Sequence, residues 1–318
     1  MAVLRAAELL RAGEVVALPT ETVYGLAANA LDPAAVARIY EIKGRPAHNP
    51  IIVHVSDLLM ARQCVNEWPE IADRFAAAFW PGPLTMVLCR SPRIPEIVAG
   101  GGPTVGVRWP SHPFIQAVIR ECQFPIAAPS ANPSNQLSPT NADHVRQALG
   151  TEIALIVDGG QSQVGIESTV LDVSVAPPRV LRPGMIHAES LAAVTALAGR
   201  GIDPDGLLKS PGMLEKHYAP RAKLMILSWR NDTELLKELT KRADDLSSVH
   251  VITHTHIPSS SQLGGVSVIP HDAEAFARAL YAELHRCDES GARVIVVEQV
   301  PNTPAWIGIA DRLRRAAS

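Results

Sequence analysis

The sequence predicts an α/β protein of two domains, and three observations lead there. Short apolar runs alternate with helical patterns through the first 190 residues; residues 200–222 lose that periodicity; and the alternation resumes from Lys223. The break is punctuated by Gly201, Pro204, Gly206, Pro211, Gly212 and Pro220, the composition of a connector. A chain of 318 residues is long for one domain and comfortable for two. The expected boundaries are 1–199, a linker over 200–222, and 223–318.

Taken in order, Met1–Arg11 reads as an amphipathic first helix, with leucines at helical spacing among Arg5, Glu8 and Arg11. It lacks the pattern of a secretion signal. Strands are expected at Val15–Leu18, Ile51–Val53, Thr85–Leu88, Val105–Val107, Ile126–Ala128, Ala154–Val157 and Thr169–Leu171. Helices are expected at Pro33–Ile42, Pro69–Phe79, Pro113–Cys122, Ala142–Leu149 and Ala188–Ala198. Thr140 is a candidate cap for the helix that begins near Asn141. Beyond the linker, strands at Lys223–Ser228, Val249–Thr253, Val266–Ile269 and Arg293–Val297 are separated by helices at Thr233–Ala243, Ala273–Cys287 and Pro304–Ala317. Thr303 and Pro304 supply the cap and first turn of the last helix. Nineteen of the 26 prolines precede residue 190, which predicts stiff, shaped loops in the first domain.

Composition excludes several classes. Formal charge is −3 and is evenly spread, without a basic arm, which argues against tight non-specific binding of nucleic acid. Cys64, Cys89, Cys122 and Cys287 form no C-x-x-C pair, so neither a disulfide framework nor a cysteine zinc site is expected, and a reducing compartment fits. No apolar run reaches the length of a membrane span. Together these point to the cytoplasm.

Lys43 is the only lysine among the first 190 residues, where 13 arginines carry the other positive charges. Beside Gly44-Arg45-Pro46, ahead of Asn49-Pro50 and the run ending at His54, it suggests a compact ammonium meeting a phosphate as a point charge. Pro19-Thr20-Glu21-Thr22-Val23-Tyr24-Gly25-Leu26 follows the first strand and offers hydroxyl and carboxylate groups beyond a strand's carboxyl end. It reads equally as a hydrogen-bonded turn. Arg108, closing Thr104–Arg108 ahead of Trp109-Pro110, is placed to clamp a carboxylate or phosphate. Ala128-Pro129-Ser130-Ala131-Asn132-Pro133, leading to Ser138-Pro139-Thr140, is a donor-rich run held by prolines. Asp158-Gly159-Gly160, Gly165–Thr169 and Arg182-Pro183-Gly184 complete the first domain. In the connector, Ser210-Pro211-Gly212-Met213 precedes His217-Tyr218-Ala219-Pro220-Arg221, two of them residue types that a structureless linker does not need. Neither G-x-x-x-x-G-K-[ST] nor G-x-G-x-x-G is present. No nucleophile signature stands out, and His254-Thr255-His256 reads as a strand end rather than a zinc site.

In this order and spacing the segments resemble the threonylcarbamoyl-AMP synthases, YrdC-type enzymes of tRNA modification, in the long form with an extra C-terminal domain. The resemblance spans essentially the whole chain, to the closing Asp311–Ala317. It implies a YrdC-like twisted-sheet catalytic domain and a smaller Rossmann-like α/β domain. The implied reaction joins L-threonine, bicarbonate (or carbon dioxide) and ATP into threonylcarbamoyl-AMP and pyrophosphate, with Mg²⁺ on the phosphates. A separate tRNA threonylcarbamoyl-transferase then uses the product. Carried over by motif, Thr22, His54, Arg108, Ala128 and Ser168 surround threonine, with Arg108 on its carboxylate. Lys43, Arg45, Asn49, Thr104, Ser130, Ser138 and Arg182 hold ATP, Lys43 and Arg45 serving the chemistry, and no protein metal ligand is implied. Tyr218, with His217 and Arg221, closes over the nucleotide from the linker. One departure is Ser134-Asn135-Gln136, where the family usually has glycine; asparagine tolerates positive φ, so the loop can keep its shape.

Two alternatives are open on sequence alone. A hydrogenase-maturation carbamoyltransferase shares the core domain but carries cysteine-rich zinc modules absent here. A non-catalytic RNA-binding module conflicts with the near-neutral charge and with aromatic residues at only 4%, too few for stacking platforms.

Overall fold

The computed structural model describes residues 1–198 and 218–317. The chain divides into two compact units: Met1–Ser134 with Ser138–Leu214, and Asn135–Leu137 with Glu215–Ser318. Most of the expected linker, His217 included, lies outside the described residues.

The first unit contains strands β1 (Val16–Leu18), β2 (Gly25–Asn29), β3 (Val53–His54), β4 (Leu84–Cys89), β5 (Thr104–Arg108), β6 (Ile126–Ala127), β7 (Leu155–Ile156), β8 (Thr169–Asp172) and β9 (Arg179–Arg182). They form one mixed sheet in the order β7-β1-β2-β6-β3-β5-β4-β8-β9. Among its pairs, β1–β7, β3–β5 and β4–β8 are parallel and the rest antiparallel. The helices are α1 (Ala2–Arg11), α2 (Pro33–Lys43), α3 (Leu58–Cys64), α4 (Glu70–Phe79), α5 (Pro113–Cys122), α6 (Ala142–Leu149) and α7 (Ala188–Ala192).

Alternation along the strands builds a core on each face. Val15, Ala17, Leu26, Ala28, Val53, Met86, Leu88 and Val107 join one cluster. Val16, Leu18, Ala27 and Ile126 face the other, under Ala6, Ala7 and Leu10 of α1 and Ile115, Val118 and Ile119 of α5. All of β1 is therefore buried, as its unbroken apolar run requires.

Three elements escape the sequence reading. β2 (Gly-Leu-Ala-Ala-Asn) has no β-branched residue; it is a strand because β1 and β6 flank it, and pairing context overrides propensity. The short α3 is set by Asp57, whose side chain accepts from Met60 N. β9 was hidden by its polar ends. Boundaries shift too. α7 ends at Ala192 rather than Ala198, because the chain beyond turns and Ala198 N donates to Pro178 O at 2.8 Å. Asn141, not Thr140, caps α6, accepting from His144 N.

The second unit contains β10 (Lys223–Leu227), α8 (Asp232–Leu239), β11 (Val249–Thr253), β12 (Gly265–Val268), α9 (Ala273–Glu289), β13 (Val294–Glu298) and α10 (Ile307–Ala316). Its four strands are all parallel, in the order β10-β13-β11-β12. Helix α8 ends at Leu239, short of the expected Ala243. Thr303 makes no side-chain cap; Pro304–Trp306 is a 3₁₀ turn that leads into α10.

Candidate active site

The loop after β1 folds on its own hydroxyls. Thr20 Oγ1 donates to Val23 O at 2.6 Å and accepts from the amides of Thr22 and Val23, an ST-type turn. The segment containing Gly165 straps it: Val164 N donates to Glu21 O and Gly165 N to Thr22 O, at 2.7 and 3.1 Å. Tyr24 explains the Asp158-Gly159-Gly160 motif, its hydroxyl donating to Gly160 O at 2.7 Å and accepting from Gly159 N at 2.9 Å. A side chain at Gly159 would meet Pro19 Cγ at 2.6 Å, so only glycine fits.

Against this loop lies Arg108, at the end of β5. Its Nη1 donates to Thr22 Oγ1 at 2.9 Å and its Nε to Gly82 O at 3.4 Å. Its Nη2 lies 2.7 Å from Glu21 Oε1, an ion pair with both side chains 4% exposed. Burial pushes the Glu21 carboxyl up, but the Arg108 charge and hydrogen bond outweigh it and hold Glu21 below the usual range. His54, register partner of Arg108 on β3, is equally buried, and its Nδ1 has no hydrogen-bond partner among the described residues. Burial, then the Arg108 charge, lowers its pKa to about 3, so the ring is neutral. Ser168 Oγ completes this group, 2.8 Å from Thr85 Oγ1 and accepting from Arg182 Nη2 at 3.1 Å. Ala128, just past β6, is buried and donates its N–H to Ile52 O at 3.0 Å.

A second group gathers around Lys43, the last residue of α2. Gly44 takes the left-handed conformation (φ 57°) and turns the chain so that Arg45 follows at once. Lys43 Nζ donates to Ser130 O at 2.6 Å and to Asn132 O, and Ser134 N returns a bond to Lys43 O at 2.8 Å. Arg45 is held by Asn49, Nη2 donating to Oδ1 at 2.7 Å and Nε to the carbonyl at 3.0 Å. Ser138 Oγ donates to Glu167 Oε1 at 2.5 Å. Arg182, ending β9, reaches Ser168 O through Nε and Nη2 at 3.1 and 3.0 Å. Thr104 opens β5 and is buried.

Lys43, Arg45, Arg108 and Arg182 are thus four buried cations, against buried carboxylates at Glu21 and Glu167. Burial first, then Arg45, lowers the Lys43 pKa well below its ordinary value, while Glu167 raises it. A phosphate or a carboxylate is the class of ligand that such a group of buried cations suits.

Twelve of the expected residues lie in the first unit. The linker residues stand differently. Tyr218 is buried in the second unit at φ 64°, its ring 6.0 Å from that of Tyr281 and 5.4 Å from the Arg312 guanidinium. Arg221 is paired with Asp288, whose carboxylate accepts from Arg221 N at 2.8 Å. Glu21 and Glu167, both inside recognised motifs, were not singled out from sequence. Their signal was available: an acid placed among residues expected to be buried beside cations must pair with them.

The comparisons with known proteins agree with this geometry. The sequence profile of the Sua5/YciO/YrdC family, described as telomere recombination, matches residues 8–184. A second profile, described as the threonylcarbamoyl-AMP synthase C-terminal domain, matches 186–318. The threonylcarbamoyl-AMP synthase of Pyrococcus abyssi is 39% identical, over 98% of this chain and 93% of that protein. The chain belongs to the threonylcarbamoyl-AMP synthase family. The Bacillus subtilis member is 41% identical over 98% of this chain and 92% of its own length. Among solved structures, P. abyssi Sua5 complexed with L-threonine superposes with a TM-score of 0.90 at 38% identity, covering 99% of this chain and 94% of that one. E. coli YciO matches 57% of this chain and 89% of its own, with a TM-score of 0.52 at 25% identity. The family assignment makes the protein an ATP-using enzyme whose product is an AMP-linked intermediate of tRNA modification.

Proposed function

We propose that the first unit carries out the complete synthase reaction: L-threonine, bicarbonate and ATP to threonylcarbamoyl-AMP and pyrophosphate. The observation that carries it is a buried polar group, Thr22-His54-Arg108-Ser168, joined by Arg182 through Ser168, together with a second pair of buried cations at Lys43 and Arg45.

Arg108 receives the threonine carboxylate, and the neutral His54 and the Thr22 and Ser168 hydroxyls orient the rest of the molecule, against the backbone at Ala128. The amine, once it has lost a proton, bonds to the carbon of bicarbonate with departure of water, leaving a carbamate. A carbamate oxygen attacks the α-phosphorus of ATP, and the bond to the bridging oxygen breaks to release pyrophosphate. No protein nucleophile takes part; alignment and neutralisation of charge lower the barrier. Lys43 and Arg45 neutralise the triphosphate, Arg182 holds Ser168, and Asn49, Thr104, Ser130 and Ser138 line the nucleotide. The residues fit Mg²⁺ that arrives on the nucleotide, with Glu167 the buried carboxylate beside Lys43, since magnesium is commonly held by one carboxylate and substrate phosphates. When bound it neutralises charge developing on the pyrophosphate.

Incubation with ¹³C-bicarbonate, threonine and ATP, followed by mass spectrometry of the nucleotide fraction, tests the reading. Threonylcarbamoyl-AMP one mass unit heavier is expected. Unlabelled AMP or ADP alone would refute it. The product is expected to pass to a transferase acting on tRNA.

A further inference from the structure

Strand β4 carries one hydroxyl among apolar neighbours. Leu84, Met86 and Leu88 join the core cluster, so Thr85 lies on the opposite face of the strand. The antiparallel register that pairs Met86 with Val107 sets Thr85 opposite Arg108, one step further along. On its other side β4 runs parallel to β8, with Leu84 and Thr169 as partners, which brings Ser168, the residue before β8, within reach. Thr85 Oγ1 lies 2.8 Å from Ser168 Oγ, and both side chains are buried.

Counting protons gives this contact a direction. A hydroxyl owns one proton and two lone pairs, whereas a guanidinium can only donate. Arg182 Nη2 donates to Ser168 Oγ at 3.1 Å. Thr85 Oγ1 has Ser168 as its one partner among the described residues. If Ser168 donated to Thr85, the Thr85 proton would be buried without an acceptor, an arrangement that folded proteins avoid. Thr85 therefore donates. Ser168 Oγ then accepts twice, from Thr85 and from Arg182, and both its lone pairs are taken. Its own proton has no acceptor among the described residues and is left for a ligand.

The surrounding chain enforces that geometry. A β-branched side chain has few χ1 choices. The Thr85 methyl faces Gly106 of β5, where an added Cβ would meet Thr85 Cγ2 at 3.1 Å and Ile52 Cγ1 at 3.5 Å. Glycine at 106 leaves the methyl its seat, and the hydroxyl turns toward Ser168. Thr169 N donates to Pro83 O at 3.0 Å, which fixes the two chains beside the pair. Arg182 holds the far side through Ser168 O, at 3.1 Å from Nε and 3.0 Å from Nη2.

We propose that Thr85 is a positioning residue of the synthase reaction: with Arg182 it fixes the Ser168 hydroxyl as a hydrogen-bond donor toward an oxygen of bound threonine. The inference rests on the reading of Ser168 as part of the threonine site. Thr85 acts through Ser168 and is not itself a ligand residue. A donor fixed in advance gives up no orientational freedom on binding, and it favours an oxygen at that point over an amine or a methyl group. With valine at 85, Ser168 keeps only the bond from Arg182, and its proton is free to turn about the Cβ–Oγ bond.

Steady-state kinetics of the full chain, varying threonine at saturating ATP and then ATP at saturating threonine, test the proposal through a double-mutant cycle. Thr85→Val should lower kcat/KM for threonine about tenfold while KM for ATP stays within about twofold. Thr85→Ser, which keeps the hydroxyl and loses only the methyl, should stay near the parent, and Thr85→Ala should match Thr85→Val. In a Ser168→Ala background Thr85→Val should cost nothing more, because the two side chains act as one unit. Thermal melts identify any variant that fails to fold; the comparison of Thr85→Ala with Thr85→Ser then isolates the hydroxyl. Full activity in Thr85→Val beside an impaired Ser168→Ala would overturn the proposal and leave the threonine site standing. Equal losses toward both substrates, or losses that add in the double variant, would overturn it too. An unimpaired Ser168→Ala would refute the reading of the site and the proposal together.

Discussion

Lys43 donates its ammonium to the main-chain carbonyl of Ser130 at 2.6 Å, tying the end of α2 to the loop after β6. The contact explains why a lysine stands there: three donors on a compact head can hold two carbonyls and still present a proton to a phosphate. Lys43→Arg should therefore fail to restore function, and both Lys43→Arg and Lys43→Met should lower kcat/KM for ATP about 100-fold or more. Steady-state kinetics against ATP at saturating threonine measures this.

Because burial lowers the Lys43 pKa, bringing a triphosphate beside it should raise that pKa again. Nucleotide binding should then be accompanied by proton uptake at any pH above the pKa of Lys43 in the free protein. Calorimetry in buffers of different ionisation enthalpy reads the number directly, and the uptake should vanish in Lys43→Met.

Glu21→Ala leaves the Arg108 guanidinium buried without its ion-pair partner. A loss of about 3–5 kcal/mol of stability is expected from breaking a buried pair by removing one member. Glu21→Gln, which keeps shape and a hydrogen bond, should cost less. Urea unfolding of the two variants gives the difference.

Asn135 sits at φ 68°, the left-handed region anticipated for it from sequence. Asn135→Gly should leave stability within about 0.5 kcal/mol, whereas Asn135→Val should cost about 1–2 kcal/mol through backbone strain. The same urea assay decides it.

Glu298 is buried, but the hydroxyl of Thr253, the amides of His254 and Thr255 and the His256 ring together lower its pKa to about 2. A depressed carboxylate stabilises the fold fully above its unfolded value, near 4.3, and the contribution is lost as pH falls toward 2. Melting temperature should drop between pH 4.5 and 2 more steeply in the parent than in Glu298→Gln.

Legibility in the sequence followed physical cause. Motifs with prolines and glycines marked the loops of the site, because such residues restrict backbone shape locally, and Lys43 stood out against an arginine background. The alternating apolar runs gave the two α/β units. What stayed hidden depends on distant partners: β2 exists through pairing with β1 and β6, Glu21 acts through Arg108, and His254 meets His271 rather than His256. Tyr218 reads as a linker residue, yet it is buried against Tyr281 and Arg312. No helix among the described residues is long and apolar enough to cross a membrane.

The most direct test of the central claim is pyrophosphate release from ATP and Mg²⁺ with threonine and bicarbonate omitted in turn. Release that requires both is the predicted result. Release with neither present would make the protein a plain nucleotide hydrolase and contradict the account.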